Sequence, residues 1–209
     1  MKPYPSITNV PDEYLGRACV AFAKLDGSNL RFLWRKKEGW CRFGTRTRLL
    51  DPVDPEFGPA LGVFRERLAD PIAAADAERW RPEEFIVYAE WFGPHSFAGE
   101  HDAARLGVAC NEPKSLVPFD LSIHKRGMLP PDGFLATLAE AVPVAPVAHR
   151  GPFDAAFIER VREEGEGEGV IAKGCEGKPP HGLWMCKVKA RRWLDELRRR
   201  HGGDWERLA

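Results

Sequence analysis

The sequence KLDGSN, residues 24–29, begins at the last residue of a short apolar run, Cys19 to Lys24, that is typical of a buried strand. A strand would hold Lys24 rigidly, which suits attack on a phosphate. A lysine is a weak nucleophile while it is protonated, and it attacks only where burial or neighbouring cations favour loss of the proton. The pair Asp26-Gly27 also favours a hairpin turn in which Lys24 would be solvated. At this point a lysine nucleophile and an ordinary turn remain alternatives.

Further strands and several helices are predicted along the rest of the sequence. Leu30 to Trp34 and Trp40 to Phe43 flank a turn at residues 36–39, and we expect them to continue an antiparallel meander that starts with the strand ending at Lys24. The other predicted strands are Phe85 to Phe92, Ser115 to Ser122, Val170 to Lys173 and Leu183 to Val188, and the predicted helices cover about residues 56–69, 132–142, 153–164 and 190–200. Without a βαβ rhythm, this order predicts an α+β fold with antiparallel sheets flanked by helices.

Length and charge limit the class of protein. The chain has 209 residues, which predicts a single domain over residues 1–209. Its 31 basic and 31 acidic residues give zero formal net charge, which argues against a protein that coats nucleic acid through bulk positive charge but leaves room for a local basic groove. The glycine patterns of dinucleotide-binding and P-loop folds do not occur in the sequence.

Cysteine usage and hydropathy indicate the compartment. The five cysteines include no CxxC pair, so a zinc ribbon and a disulfide framework are both disfavoured. The sequence starts without an apolar signal-like run, and no stretch approaches the roughly 20 apolar residues that cross a bilayer. We therefore expect a cytoplasmic protein with no membrane partner.

A second motif, YAEWFG, occupies residues 88–93. Side chains alternate along a strand, so Glu90 would share one side with Tyr88 and Phe92. A carboxylate between two aromatic rings is seldom left without a partner. The alternative is an edge strand with Glu90 in solvent.

Two late motifs carry further charges. In EGVIAK, residues 168–173, Glu168 and Lys173 lie at the two ends of a short element that could line a site, although an acidic glycine-rich loop can equally be solvated. In KVK, residues 187–189, Lys187 and Lys189 lie on one face of a strand and repel each other unless an anion such as a phosphate lies between them. The alternative for this pair is an exposed strand end.

The order of these motifs carries more information than any one of them. KxDGxN, YxEWFG, FD at residues 119–120, EGVIAK and KVK together resemble the covalent nucleotidyltransferase superfamily, which comprises ATP- or NAD-dependent polynucleotide ligases and mRNA capping guanylyltransferases. The resemblance extends from Tyr4 to about Leu197. It implies a nucleotidyltransferase (ATP-grasp-like) ligase fold.

The resemblance also implies roles for individual residues. Lys24 would form a phosphoramide with AMP, and Asp26, Ser28 and Asn29 would lie in the same nucleotide-binding element. In TRTR, residues 45–48, we favour Arg46 over Arg48 as the arginine that contacts the nucleotide.

The later motifs complete this implied site. Glu90 would bind the ribose, and Phe119 would stack on the adenine unless it is an ordinary core residue. Glu168 would help to hold a divalent metal ion, Mg²⁺ or Mn²⁺. Lys173, the last residue of EGVIAK, would be one of the nucleotide-binding residues. Lys187 and Lys189 would bind the α-phosphate of ATP.

Within the superfamily, the sequence resembles the editing-type and phage-type RNA ligases. The features that carry this are Asn29, the opening KPYPSI at residues 2–7, and FGPHSFAG at residues 92–99. The implied activity is ATP-dependent joining of a 5′-phosphate RNA end to a 3′-hydroxyl end. Only about 20 residues follow Lys189, where ligases usually carry a further domain, so we expect that a partner protein could supply the missing clamp. A minimal DNA ligase, a GTP-using guanylyltransferase and an inactive nucleotide- or RNA-end-binding module remain alternatives.

Overall fold

A computed structural model of the protein describes residues 1–93, 96, 114–175 and 183–208. Its strands are β1 (Thr8–Asn9), β2 (Ala18–Ala23), β3 (Gly27–Arg35), β4 (Gly39–Thr45), β5 (Glu84–Phe92), β6 (Ser115–Ile123), β7 (Gly127–Met128), β8 (Val147–Pro152), β9 (Gly169–Gly174) and β10 (Met185–Lys189). Its α-helices are α1 (Gly58–Val63), α2 (Ala69–Arg79), α3 (Pro131–Leu138), α4 (Ala155–Glu164), α5 (Arg191–His201) and α6 (Trp205–Leu208). Short 3₁₀ turns lie at Asp12–Tyr14 and Gly202–Asp204. No helix in these described parts is long and apolar enough to cross a membrane.

The strands form two five-stranded sheets. The first has the order β1-β10-β9-β2-β8 and the second the order β4-β3-β5-β6-β7. Neighbouring strands are antiparallel except for the short parallel pair of β1 and β10. The predicted α+β fold with antiparallel sheets is therefore confirmed.

The predicted opening meander is wrong in its first step. β3 and β4 form the expected hairpin, but β2 pairs with β9 and β8 in the first sheet, while β3 belongs to the second. The chain crosses from one sheet to the other over residues 24–26, so KLDGSN is a crossover and not a hairpin turn. Gly27 is required at the start of β3, because a Cβ there would lie 2.4 Å from the carbonyl oxygen of Trp91 on β5.

Strand β2 connects the two main hydrophobic cores. Val20 and Phe22 pack into the core beneath the second sheet and helices α1 to α3, whereas Cys19 and Ala21 pack against α4. By the same alternation, Lys24 leaves the strand on the side of Val20 and Phe22, which faces the second sheet. The sequence thus directs Lys24 into the space between the sheets.

Two of the longer elements, α2 and β8, were not predicted from the sequence. The helix predicted at residues 56–69 continues through one π-helical turn, Phe64–Leu68, into α2. This wider turn precedes Pro71, whose ring cannot accommodate the carbonyl four residues earlier in a regular helix. Strand β8 is mostly exposed at the edge of the first sheet and has a polar sequence without apolar alternation.

Candidate active site

A cleft of about 320 Å³ lies between the two sheets. It is lined by most of the residues that the sequence analysis singled out: Lys24, Asn29, Arg46, Glu90, Phe119, Glu168, Lys173, Lys187 and Lys189. Ser28, which is buried, and Asp26 do not line it, and the carboxylate of Asp26 accepts a hydrogen bond of 2.9 Å from the indole of Trp193 on α5. Residues distant in sequence are therefore brought together by the pairing of the strands.

Strand register explains how two lysines converge on one wall. Lys189 of β10 is paired with Gly169 of β9, and the backbone N–H of Lys24 donates to the carbonyl of Gly169 over 2.8 Å. Gly169 has φ +124°, and a Cβ at this position would lie 2.1 Å from the carbonyl oxygen of Val188. Because Gly169 has no side chain to separate Lys24 from Lys189, both lysines reach the residue that precedes Gly169.

That residue is Glu168, which lies between the two ammonium groups. The Lys24 ammonium donates to Oε2 of Glu168, and the Lys189 ammonium donates to Oε1 over 2.7 Å. The Glu168 side chain is only 6% exposed, whereas that of Lys24 is 23% exposed. The neighbouring Glu166 is exposed. Of the two acids in the loop, Glu168 is thus the one that belongs to the cleft.

The lysines of β10 are partly buried beside this cluster. Burial lowers the pKa of Lys187, and the positive charge of Lys24 lowers it further. Burial likewise lowers the pKa of Lys189, which is opposed by Glu168. The Lys189 ammonium also lies 4.2 Å from the ring centre of Trp193, which forms a cation–π contact. This wall therefore concentrates positive charge around one carboxylate.

Glu90 and Asn29 form part of the opposite wall, where they are paired across β5 and β3. Burial raises the pKa of Glu90 to about 8, with Lys24 opposing the shift and Glu168 adding to it. The carboxyl group is therefore largely protonated at neutral pH. Among the described residues, the side-chain oxygen of Asn29 has no hydrogen-bond partner although it is buried. Both groups are available to polar atoms of a ligand.

Phe119 enters the cleft because of a β-bulge. Tyr88 pairs with Asp120 and Ala89 pairs with Pro118, so Phe119 is an extra residue that opposes none on β5. In a regular strand, Phe119 and Asp120 would point to opposite faces. The bulge turns both towards the cleft side, where Phe119 lines the cavity and Asp120 is buried beneath it.

Lys173 reaches the same place from β9. Its ammonium donates to Oδ2 of Asp120 and to the backbone carbonyl of Phe119, each over 2.7 Å, and both charged side chains are 2% exposed. Burial raises the pKa of Asp120 and lowers that of Lys173, while each partner opposes the shift of the other. Lys173 thus contributes to the floor of the cleft with its ammonium group already occupied.

The two candidate arginines separate clearly. Arg46 lines the cleft, and its guanidinium donates to Oγ of Ser6 over 2.6 Å. Arg48 points to the surface, where it pairs with Asp54 and Glu56. Of the two arginines, only Arg46 is placed to reach a ligand in the cleft.

Two parts of the site were not predicted from the sequence: the wall formed by the N-terminal segment and the contacts made by Trp193. Tyr4, Pro5 and Ile7 of the N-terminal segment line the cleft, and Trp193 contacts both Asp26 and Lys189. A signal for Trp193 was available, because Trp193 and Leu197 are four residues apart and form the buried stripe of the otherwise polar helix α5. Of the string at residues 92–99, only Phe92, Gly93 and Ser96 lie within the described residues.

The acidic residues suit a metal ion that is bound partly by substrate. Among the described residues there is no cluster of three or more His, Cys, Asp or Glu side chains that would form a complete cage. Mg²⁺ is usually held by one or two carboxylates together with phosphate oxygens and water. Glu168 supplies one such carboxylate, and its charge helps to raise the pKa of Glu90. The donor set therefore fits a metal that arrives with a nucleotide.

Known proteins match both the sequence and the fold. Residues 17–192 match the model of the RNA ligase family. No curated protein gives a significant match. An archaeal ATP-dependent RNA ligase superposes with a TM-score of 0.65 at 18% identity, covering 94% of this chain and 51% of that one.

Two further structures extend the comparison. A Naegleria gruberi RNA ligase mutant with ATP and Mn gives a TM-score of 0.61 at 14% identity, covering 94% of this chain and 60% of that one. A putative ATP-dependent DNA ligase from Aquifex aeolicus gives 0.65 at 14% identity, covering 98% and 56%. The chain thus spans between about half and three fifths of the length of these structures. The resemblance inferred from the motif order is confirmed, and because the family match covers most of the sequence, this protein belongs to the RNA ligase family.

Proposed function

We propose that the protein is an ATP-dependent RNA ligase that works through a covalent Lys24–AMP intermediate. The observation that carries this proposal is the cluster of Lys24, Glu168 and Lys189 at the edge of a cleft that also presents Phe119 and Glu90. A nucleotide needs an aromatic surface for the base, polar groups for the ribose and cations for the phosphates. The cleft supplies all three in a chain of the RNA ligase family.

In the first step, Nζ of Lys24 attacks the α-phosphorus of ATP. A P–N bond forms, the bond to the β-phosphate breaks, and pyrophosphate leaves. Lys24, which is partly exposed, must first lose a proton to solvent, and Oε2 of Glu168, which accepts its hydrogen bond, orients Nζ for the attack. Lys187 and Lys189 stabilise the negative charge that develops on the phosphate oxygens.

The other walls orient the nucleotide during this step. Phe119 stacks on the adenine, Glu90 binds a ribose hydroxyl, and Arg46 and Asn29 contact the phosphate end. Glu168 would hold a divalent metal ion, Mg²⁺ or Mn²⁺, which when bound polarises the phosphate oxygens. The Naegleria gruberi ligase that shares this fold was solved with ATP and Mn.

Two transfers to RNA complete the reaction. The 5′-phosphate of an RNA end attacks the phosphorus of Lys24–AMP, which frees Lys24 and leaves an adenylated end. A 3′-hydroxyl then attacks the 5′-phosphate, expels AMP and forms the phosphodiester bond. We propose that residues 1–209 act as one adenylylation domain in the cytoplasm and that a partner protein contributes to the grip on RNA.

Self-labelling tests the covalent step. Purified protein is incubated with each α-labelled NTP and a divalent metal, and we expect acid-labile labelling by ATP with release of pyrophosphate. Lys24→Ala should abolish the label while the melting temperature stays close to that of the wild type. A label retained by the alanine variant would refute the nucleophile assignment, and labelling by GTP alone would indicate a capping-type guanylyltransferase. A chain that binds ATP without labelling would be the inactive binding module.

A minimal DNA ligase is the second candidate, because the Aquifex aeolicus structure shares the fold at the same TM-score as the archaeal RNA ligase. The test offers one pre-adenylated donor strand with a 3′-hydroxyl RNA acceptor or a 3′-hydroxyl DNA acceptor. RNA differs in its 2′-hydroxyls and A-form shape, and we expect faster joining of RNA. Low salt is the appropriate condition, because a chain of zero net charge has little bulk attraction for a phosphate backbone. Equal rates, or preference for nicked DNA, would favour the DNA ligase.

A further inference from the structure

The buried pair of Lys173 and Asp120 has no role in the mechanism above, although it is the most enclosed ion pair at the cleft. It links the two sheets, because Lys173 lies on β9 and Asp120 on β6. Three aromatic rings surround the Lys173 ammonium, with ring centres at 4.6 Å (Phe22), 5.8 Å (Phe119) and 5.8 Å (Phe134). A charged pair in such surroundings is costly unless its hydrogen bonds are well satisfied.

The hydrogen bonds of this pair are directed at the β-bulge. Lys173 donates to the carbonyl of Phe119, which belongs to the extra residue, and to the carboxylate of the next residue, Asp120. A bulged residue is left out of the regular ladder of the sheet, so its backbone needs partners from elsewhere. Lys173 therefore holds both residues that the bulge turns towards the cleft.

Tyr4 adds a third contact from the N-terminal segment. Its hydroxyl donates to Oδ2 of Asp120, the oxygen that also accepts from Lys173, and its ring packs edge-on against Phe119 with ring centres 5.0 Å apart. The segment is held independently by Arg31, which donates to the carbonyl of Met1 over 2.8 Å. Tyr4 thus reaches Phe119 both directly and through Asp120.

We propose that Lys173, Asp120 and Tyr4 form a clamp on the bulge that fixes the ring of Phe119 as the platform for adenine, with Tyr4 as a positioning residue for the base of ATP. The inference rests on the proposed function and adds that the base and the phosphates of ATP are held by separate groups of residues. The proposed phosphate ligands include Lys24, directly after β2, and Lys189 on β10; these two lysines bond to Glu168, whereas Tyr4 and Lys173 bond to Asp120. Loss of the clamp should therefore weaken binding of the base and leave binding of the phosphates unchanged.

The test compares Tyr4→Phe with Tyr88→Phe, both in a Lys24→Ala background that stops the reaction at binding. Each substitution removes one tyrosine hydroxyl from the same aromatic cluster, but the hydroxyl of Tyr88 donates its hydrogen bond to the carbonyl of Lys2 over 3.3 Å, whereas that of Tyr4 donates to Asp120. Dissociation constants are measured for ATP and for inorganic triphosphate, with magnesium present. For Tyr4→Phe we expect the ATP constant to rise about tenfold, the scale of losing a hydrogen bond to a charged group. The triphosphate constant should not change, and Tyr88→Phe should change neither.

Each other outcome would overturn the inference in a distinguishable way. If ATP and triphosphate weaken equally, Tyr4 has only a general structural role. If Tyr4→Phe binds ATP like its parent, the clamp does not position the base. The double variant Asp120→Asn/Lys173→Met removes both charges together, so it leaves neither one unpaired, and it should show the same loss confined to ATP. If the parent binds no ATP and the wild type does not self-label, the proposed function itself fails and the inference fails with it.

Discussion

Replacing Glu90 by glutamine should make the protein more stable in alkaline solution, although Glu90 belongs to the cleft. The pKa of Glu90 is raised from its ordinary value of 4.5 to about 8, mainly by burial. The unfolded chain therefore releases this proton at lower pH than the folded chain does. Wild-type stability is unaffected by Glu90 below pH 4.5 and falls as the pH rises towards about 8. Glutamine stays neutral throughout and avoids this loss.

The size of the effect follows from the shift. A difference of about 3.5 pH units corresponds to at most about 4.8 kcal/mol, at about 1.36 kcal/mol per unit. The carboxyl group faces an open cleft, so water screens part of this cost, and we expect Glu90→Gln to be about 2 to 3 kcal/mol more stable than the wild type above pH 8. The two proteins should have equal stability near pH 4.5. A stabilising change at the expense of a functional group is common in active sites.

Urea denaturation of both proteins across this pH range is the appropriate measurement. Glu166→Gln is the matched control, because Glu166 is exposed and its loss should not alter the pH dependence. A second arm uses Lys24→Ala, which removes the positive charge that lowers the pKa of Glu90, so the loss of stability should still begin near pH 4.5 but continue to higher pH than in the wild type. Parallel stability curves for the wild type and Glu90→Gln would refute the reasoning.

Three further predictions concern other acids and the C-terminal helix. Glu168→Ala should raise the metal concentration needed for self-labelling or abolish labelling, whereas Glu166→Ala should leave the metal titration unchanged; identical titrations would make Glu168 an ordinary loop residue. Asp76 is fully buried, its carboxylate has no hydrogen-bond partner among the described residues, and burial raises its pKa to about 7. Asp76→Ala should therefore gain stability over the wild type as the pH rises from 3.8 to about 7, and a constant difference in urea denaturation would contradict this. Trp193→Phe removes the partly buried hydrogen bond to Asp26, and because a hydrogen bond to a charged group contributes about 1.5–3 kcal/mol, we expect a melting temperature lowered by several degrees together with about tenfold slower self-labelling; unchanged labelling would show that α5 does not support the site.

The sequence predicted the strands that carry the motifs because their signals are local. A continuous apolar run marks β5, and alternation of buried and partly exposed residues marks β10, so strand periodicity alone predicted that Lys187 and Lys189 share one face. The partners of β2 were not predictable in this way, because Lys173 and Val20 pair across some 150 residues of sequence. The local sequence Asp26-Gly27 favours a hairpin, but β2 pairs with distant strands, so the chain crosses to the other sheet at this point instead.

Other parts of the site depend on contacts that carry no periodic pattern. The bulge at Phe119 is defined only relative to β5, so the sequence of β6 alone predicts that Phe119 and Asp120 face opposite ways. Likewise, the string KPYPSI that contains Tyr4 contributed to the family resemblance but carries no pattern that predicts where the Tyr4 side chain lies. Its place in the wall of the cleft is set by Asp120, more than a hundred residues away.

The distribution of charge reconciles a neutral chain with a polyanionic ligand. Four basic side chains, Lys24, Arg46, Lys187 and Lys189, line the cleft against the carboxylate of Glu168, because Glu90 is largely protonated at neutral pH and Lys173 is already paired. The compensating acids lie elsewhere on the chain, so the cleft is positive although the total charge is zero. Without a nucleotide, the carboxylate of Glu168 limits the mutual repulsion of Lys24 and Lys189. One carboxylate cannot balance all four basic side chains, and the phosphates of ATP would supply the remaining negative charge. Affinity for ATP should accordingly fall with ionic strength.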